Sequence, residues 1–127
     1  LDLEDAAVSS LAGITSASNL KLLRIDRNIF DIFPQEVFQL QSLEVLSMSE
    51  NTFQRQPFPT DFQNFNNLVY FACSECSFTG PIPTWLGDMT GLEYLKLDQN
   101  ALDGSLPVEL ENLLNLKHLD LADQLSN

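Results

Sequence analysis

The chain of 127 residues carries 6 Lys and Arg against 18 Asp and Glu, a formal net charge of -12, with 44% hydrophobic residues, 2 Cys and 1 His. This length suits one cored domain, and the acidic balance excludes a phosphate-neutralising or anionic-lipid-binding surface, which needs clustered positive charge. One His and two Cys are too few for a disulfide scaffold or for designs that draw on several such groups, and no apolar run approaches the roughly 18 residues of a membrane span.

Leucine supplies 23 residues, and the apolar positions recur with a long period. Leu1, Leu3, Ala6 and Val8 fit the tail of a strand-bearing segment in a partial unit, 1–19. Full units start at Leu20 (Leu23, Ile25, Asn28, Phe30, Phe33, Pro34, Val37) and at Leu43 (Leu46, Met48, Asn51, Phe53, Phe58, Pro59). Two more start at Leu68 (Phe71, Cys73, Cys76, Phe78, Gly80, Ile82, Pro83, Leu86, Met89) and at Leu92 (Leu95, Leu97, Asn100, Leu102, Gly104, Leu106, Pro107, Leu110, Leu113). Leu116, Leu119 and Leu121 open a last partial unit, 116–127. Successive starts at 20, 43, 68, 92 and 116 give unit lengths of 23, 25, 24 and 24 residues.

The alternation L-x-L predicts one short strand per unit, with its leucines inward and the residues between them outward. Stacked units then form a parallel sheet with strands about 4.8 Å apart. Asn28, Asn51 and Asn100 hold the turn after the strand, a structural place where a side-chain amide can bond backbone of its own coil and the next. Proline after an apolar residue predicts an irregular or 3₁₀ return arm rather than a long helix. Cys73 takes the place of an inward leucine and Cys76 that of the Asn, so both are expected as buried structural thiols. The alternative for Cys73-Ser74-Glu75-Cys76 is a disulfide or redox dithiol.

These four units match L-x-x-L-x-L-x-x-(N/C)-x-L, and the chain resembles the leucine-rich repeat family over nearly its whole length. Phe78-Thr79-Gly80-Pro81-Ile82-Pro83 and Gly104-Ser105-Leu106-Pro107 resemble the G-x-I-P segment of its plant-type subfamily; the first two units keep the Pro and carry Ile32 and Arg55 in place of the Gly. The resemblance implies an α/β fold by family convention: a right-handed solenoid with a short parallel sheet on its concave face and an irregular or 3₁₀ convex side. One domain, 1–127, would hold four complete and two partial repeats. The resemblance also implies that the concave face is the usual ligand surface, in proteins such as receptor-kinase ectodomains, extracellular inhibitors of wall-degrading enzymes, and adhesion or scaffold proteins.

The outward strand positions align in columns: Leu22, Val45, Tyr70, Tyr94, His118, then Asp2, Arg24, Ser47, Ala72, Lys96, Asp120. Glu4, Asp26, Ser49, Ser74, Asp98, Ala122 follow, and then Asp5, Arg27, Glu50, Glu75, Gln99, Asp123. The expected function is non-enzymatic recognition of a protein or peptide partner by this face, through Tyr70, Tyr94 and His118 beside Ser47, Ser49, Ala72, Ser74 and Lys96, since aromatics anchor interfaces. The competing reading makes the tyrosines ordinary solvent-facing strand residues. Arg24 and Arg27 are expected in local charge pairs with Asp2, Glu4, Asp26 and Glu50.

Neither end carries a polar cap, so the chain is read as a fragment of a longer solenoid or an uncapped subunit. A structural-subunit alternative has the ends dock, through Leu1 and Leu3 or Leu119 and Leu121; a third reading is an inhibitor of a secreted hydrolase. Leu121 to Leu125 is one residue shorter than Leu97 to Leu102, which predicts an irregular last turn. G-x-S-x-G, P-loop, G-x-G-x-x-G and H-E-x-x-H motifs are absent from the sequence. No cofactor, metal, nucleic-acid partner or membrane insertion is expected. A His118–Asp120 base pair and a Ca²⁺ cluster of Asp98, Asp120 and Asp123 are minor alternatives. The resemblance favours an extracellular or cell-surface setting, while the lack of an N-x-S/T sequon and two reduced cysteines fit the cytosol or an organelle as well.

Overall fold

Burial of the alternating leucines generates the first sheet. The computed structural model describes residues 1–125. Its strands are β1 (Leu22–Arg24), β2 (Val45–Ser47), β3 (Gln56–Pro57), β4 (Tyr70–Ala72), β5 (Phe78–Pro81), β6 (Tyr94–Lys96), β7 (Ala101–Asp103) and β8 (His118–Asp120). Five of them form a parallel sheet in the order β1-β2-β4-β6-β8. The central residues Leu23, Leu46, Phe71 and Leu95 are fully buried, and the register continues from Leu95 to Leu119. At the opposite edge Asp2 bridges to Arg24 and extends the sheet by one more coil. The chain is thus a solenoid of stacked coils with parallel strands on one face.

A second parallel sheet, β3-β5-β7, was not anticipated on the return arm. It forms because Thr79, Gly80 and Pro81 run beside Ala101, Leu102 and Asp103 in register, with Gly80 and Gly104 both at positive φ. Glycine holds this backbone without a Cβ penalty, at Gly80 within β5 and at Gly104 directly after β7. Pro57 and Pro81, the terminal residues of β3 and β5, sit at strand ends where a missing N–H is tolerated.

The convex side carries 3₁₀ turns η1 (Ile14–Ser16), η2 (Gln35–Gln39), η3 (Thr60–Asn64), η4 (Thr84–Asp88) and η5 (Val108–Asn112), and no α-helix occurs among the described residues. Pro34, Pro59, Pro83 and Pro107 immediately precede the last four. The carbonyl of each proline accepts from the N–H of Val37, Phe62, Leu86 and Leu110, so the ring's fixed φ starts a tight turn. Turns η4 and η5 pack backbone to backbone at Gly87, where an added Cβ would lie 2.3 Å from the Glu109 carbonyl oxygen.

All nine phenylalanines are buried. Phe62 stands at the centre of the core, its ring 5.0–6.4 Å from those of Phe33, Phe38, Phe58, Phe65, Phe71, Phe78 and Trp85. Such rings supply large buried area together with edge and stacking preferences that fix their packing.

A second row of contacts runs along the strand-end turns. Asn28 Nδ2 donates to the carbonyls of Leu3 and Asp26, Asn51 Nδ2 to those of Ile25, Met48 and Ser49, and Asn100 Nδ2 to those of Cys73, Leu97 and Asp98. In the last coil Gln124 Nε2 bonds Leu97, Leu121 and Ala122 in the same way, while its Oε1 accepts from Leu102 N–H at 3.0 Å. The longer glutamine reaches the place an asparagine takes elsewhere, so the ladder continues through the turn expected to be irregular. Ser126 and Asn127, which close the partial unit 116–127, lie outside the described residues.

The expectation of free thiols is overturned. Cys73 and Cys76, both fully buried, form a disulfide with their Cα atoms 5.4 Å apart. Glu75 between them has φ 53°, and this left-handed turn folds the Asn-equivalent position back onto the strand residue it follows.

Candidate functional site

The outward columns of the first sheet build the candidate site. Parallel register sets Tyr70 beside Tyr94 and Tyr94 beside His118, because the strand starts of β4, β6 and β8 are aligned without offset. The rings follow: Tyr70 and Tyr94 centroids are 5.9 Å apart at 35°, and those of Tyr94 and His118 are 6.3 Å apart at 28°. Tyr94 and His118 are exposed and Tyr70 is half-buried, so the ladder is partly open to solvent.

Beside it, Ser47 and Ala72 are buried and Ser49, Ser74 and Lys96 half-buried, so this set shares one floor with the ladder. The floor is wired rather than merely small. Ser47 Oγ donates to Asp26 Oδ1 at 2.6 Å, and Ser49 N–H to the same oxygen at 3.0 Å. Ser74 N–H donates to Ser49 Oγ at 3.0 Å, and Ser74 Oγ donates to the Asp98 carboxylate. Asp26 is 9% exposed, and these donors satisfy a carboxylate that burial would otherwise penalise. Hydroxyls committed in this way hold the floor in one arrangement.

The outer rim is one residue per coil: Asp5, Arg27, Glu50, Glu75, Gln99 and Asp123 all have φ between 51° and 56°. The N–H groups of five of them donate to the next coil: Asp5 to Asp26, Arg27 to Ser49, Glu50 to Ser74, Glu75 to Asp98 and Gln99 to Ala122. Glycine occupies none of these positions, so the sequence carries no local sign of the left-handed turn; only the shared offset from the strand does. Floor and rim enclose a cleft of about 290 Å³ lined by Asp26, Ser47, Ser49, Glu50, Tyr70, Ala72, Ser74, Glu75, Lys96, Asp98, Gln99 and Asp120. The carboxylates and Gln99 are site residues that an aromatic-centred reading of the columns leaves out.

Charges pair locally at the N-terminal end. Arg24 meets Asp2 at 3.7 Å, and Arg27 meets Glu4 and, at 3.1 Å, Asp5. The hydrogen bond to Asp5, and then its charge, raise the Arg27 pKa. Lys117 is raised in the same way by its hydrogen bond with Glu93. Asp26, expected among these partners, turns instead to the serines.

The two proposed docking ends lie at opposite edges of the sheet. Leu1 and Leu119 are exposed at 48% and 41%, whereas Leu3 and Leu121 are half-buried and pack on the core. Among the described residues no cluster of three or more His, Cys, Asp and Glu is placed to hold a metal ion, and no helix is long and apolar enough to cross a membrane.

The ectodomain of the Arabidopsis receptor kinase HAESA, solved with an N-terminally extended IDA peptide hormone, is similar at TM-score 0.81 and 25% identity over 87% of this chain and 19% of that one. A TDR receptor is similar at TM-score 0.77 and 31% identity, over 86% of this chain and 19% of that chain. A leucine-rich repeat protein of Leptospira interrogans is similar at TM-score 0.78 and 28% identity, over 96% of this chain and 30% of that one. The chain therefore spans about a fifth of the length of the two receptors. No curated protein sequence matches it. The profile of the leucine-rich repeat region matches residues 1–125, and the chain belongs to the leucine-rich repeat family.

Proposed function

We propose that the chain is a non-enzymatic recognition module that binds a protein or peptide partner on its concave face, with Tyr70, Tyr94 and His118 as anchors. The observation that carries this reading is the in-register ladder of three partly exposed rings beside a floor whose serines are already committed to hydrogen bonds. Such a surface is pre-organised, and a partner that covers it immobilises little. The similar HAESA structure holds a peptide hormone and another joins HAESA to a co-receptor, which supports the same class of function for this segment. The Cys73–Cys76 disulfide supports an oxidising, extracellular or cell-surface setting.

A second reading is favoured by one observation. Leu106, Val108, Leu119 and Leu125 are exposed at 60%, 66%, 41% and 62% around the last coil, an apolar surface suited to docking against another body. A single pair of variants separates the readings. Tyr94→Asp abolishes partner binding and Leu119→Lys preserves it if the concave face is used, as measured by calorimetry on the partner purified from the native source. Binding that survives Tyr94→Asp and is lost in Leu119→Lys overturns the concave reading.

A further inference from the structure

We infer that the C-terminal half of the concave face takes an extended peptide segment carrying Arg or Lys side chains, an inference that rests on the concave-face reading above. The two halves of this face differ in how their charges are spent. In the first coils Arg24 and Arg27 are neutralised by Asp2, Glu4 and Asp5. From the third full coil onward the rim and floor carry Glu75, Asp98, Asp120 and Asp123, and none of these makes an ion pair among the described residues, whereas Glu50 before them still acts on Arg27. Lys96 is the cation of that lining, and Arg55 borders Glu75 in the adjoining cleft beyond the rim. Carboxylates therefore outnumber cations along the open half.

The ladder supplies the complement to that charge. Tyr70 and Tyr94 lie one strand apart with rings inclined at 35°, so a guanidinium or ammonium lying over one of them has rim carboxylates on the far side of the floor. Ring faces attract cations, and the methylene stems of Arg and Lys cover apolar ring surface while the heads stay near water. The cleft of about 290 Å³ runs over this floor and is bordered by Tyr70 of the ladder. An acidic segment would face uncompensated like charge here, which opposes both encounter and residence. The sign of the partner is thus fixed by the wall it meets.

The test uses the 127-residue chain and two fluorescein-labelled decapeptides on one Gly-Ser framework, one with three Arg and the other with three Glu, read by fluorescence anisotropy. The Arg peptide is expected to bind at least tenfold more tightly than the Glu peptide, and to weaken as salt is raised. The double variant Glu75→Gln/Asp120→Asn, in which Glu75 is exposed and the Asn keeps an oxygen to accept from Ala122 N–H, is expected to lower its affinity at least tenfold, while Arg24→Gln leaves it within twofold. Equal affinities or a preference for the Glu peptide, with either signal removed by Tyr94→Asp, overturn the cationic inference and leave the concave reading standing. Arg-peptide binding unchanged by both Tyr94→Asp and the carboxylate variant overturns the concave reading as well. No binding of either peptide at millimolar concentration overturns the inference.

Discussion

Asn100 Nδ2 lies 2.8 Å from the carbonyl oxygen of Cys73, one coil earlier, while Asn100 Oδ1 accepts from the N–H groups of Cys76 and Phe78 at 3.0 Å each. One fully buried amide thus closes its own turn and staples it to the preceding coil. Leaving such buried groups unpaired costs about 1 to 3 kcal/mol each. Asn100→Ala is expected to destabilise the chain by at least about 3 kcal/mol in urea unfolding. Gln124→Ala, at the half-buried edge, is expected to cost about 1 kcal/mol; equal losses would contradict the ranking.

Gly87 tests how closely the convex turns approach. At an open site with ordinary φ, Gly→Ala usually stabilises by about 0.4 to 1 kcal/mol through the unfolded chain. Here the new Cβ meets Glu109 backbone at 2.3 Å, so Gly87→Ala is expected to destabilise by about 1 to 3 kcal/mol. A rise in Tm would show that η4 and η5 can separate freely.

Phe62→Ala removes the ring around which the aromatic core is arranged and is expected to cost about 3 to 5 kcal/mol. Trp85, whose ring lies 6.4 Å from that of Phe62 at 13°, reports the change directly. Its emission is expected to shift to the red in the folded variant as solvent reaches the cavity; an unshifted spectrum would mean that the core collapses around the gap.

Native Cys73 and Cys76 are expected to yield no titratable thiol, and to yield two after denaturation with reductant. Their ring is short, so the loop-closure contribution is about 2 kcal/mol. Reduction is expected to lower unfolding stability by that amount without loss of the far-UV spectrum. Two free thiols in the native chain would restore the reading drawn from the repeat register alone.

The leucine period, the first sheet and its outward columns were legible because inward alternation fixes strand register, as at Leu23, Leu46, Phe71 and Leu95. Pairings within one turn were not. Cys73 and Cys76 occupy two different roles in the repeat, core and asparagine place, and only the left-handed Glu75 shows that these places adjoin. The second sheet was hidden by Pro57, Gly80 and Pro81, residue types that argue against strands unless they fall at an end or a bend. Ser49 and Ser74 were visible as small residues, but their hydrogen bonds to flanking coils depend on distances that a column of letters does not carry.

The left-handed rim residues bear on how the molecule comes apart. A left-handed conformation costs a non-glycine residue about 1 to 2 kcal/mol, and at five rim positions the compensating amide bond ends on the following coil. A coil whose successor has melted keeps the strain and loses the bond that offset it. Unfolding that starts at β8 therefore weakens β6, then β4, so neighbouring coils are coupled in melting and the loss of one turn promotes the loss of the turn before it.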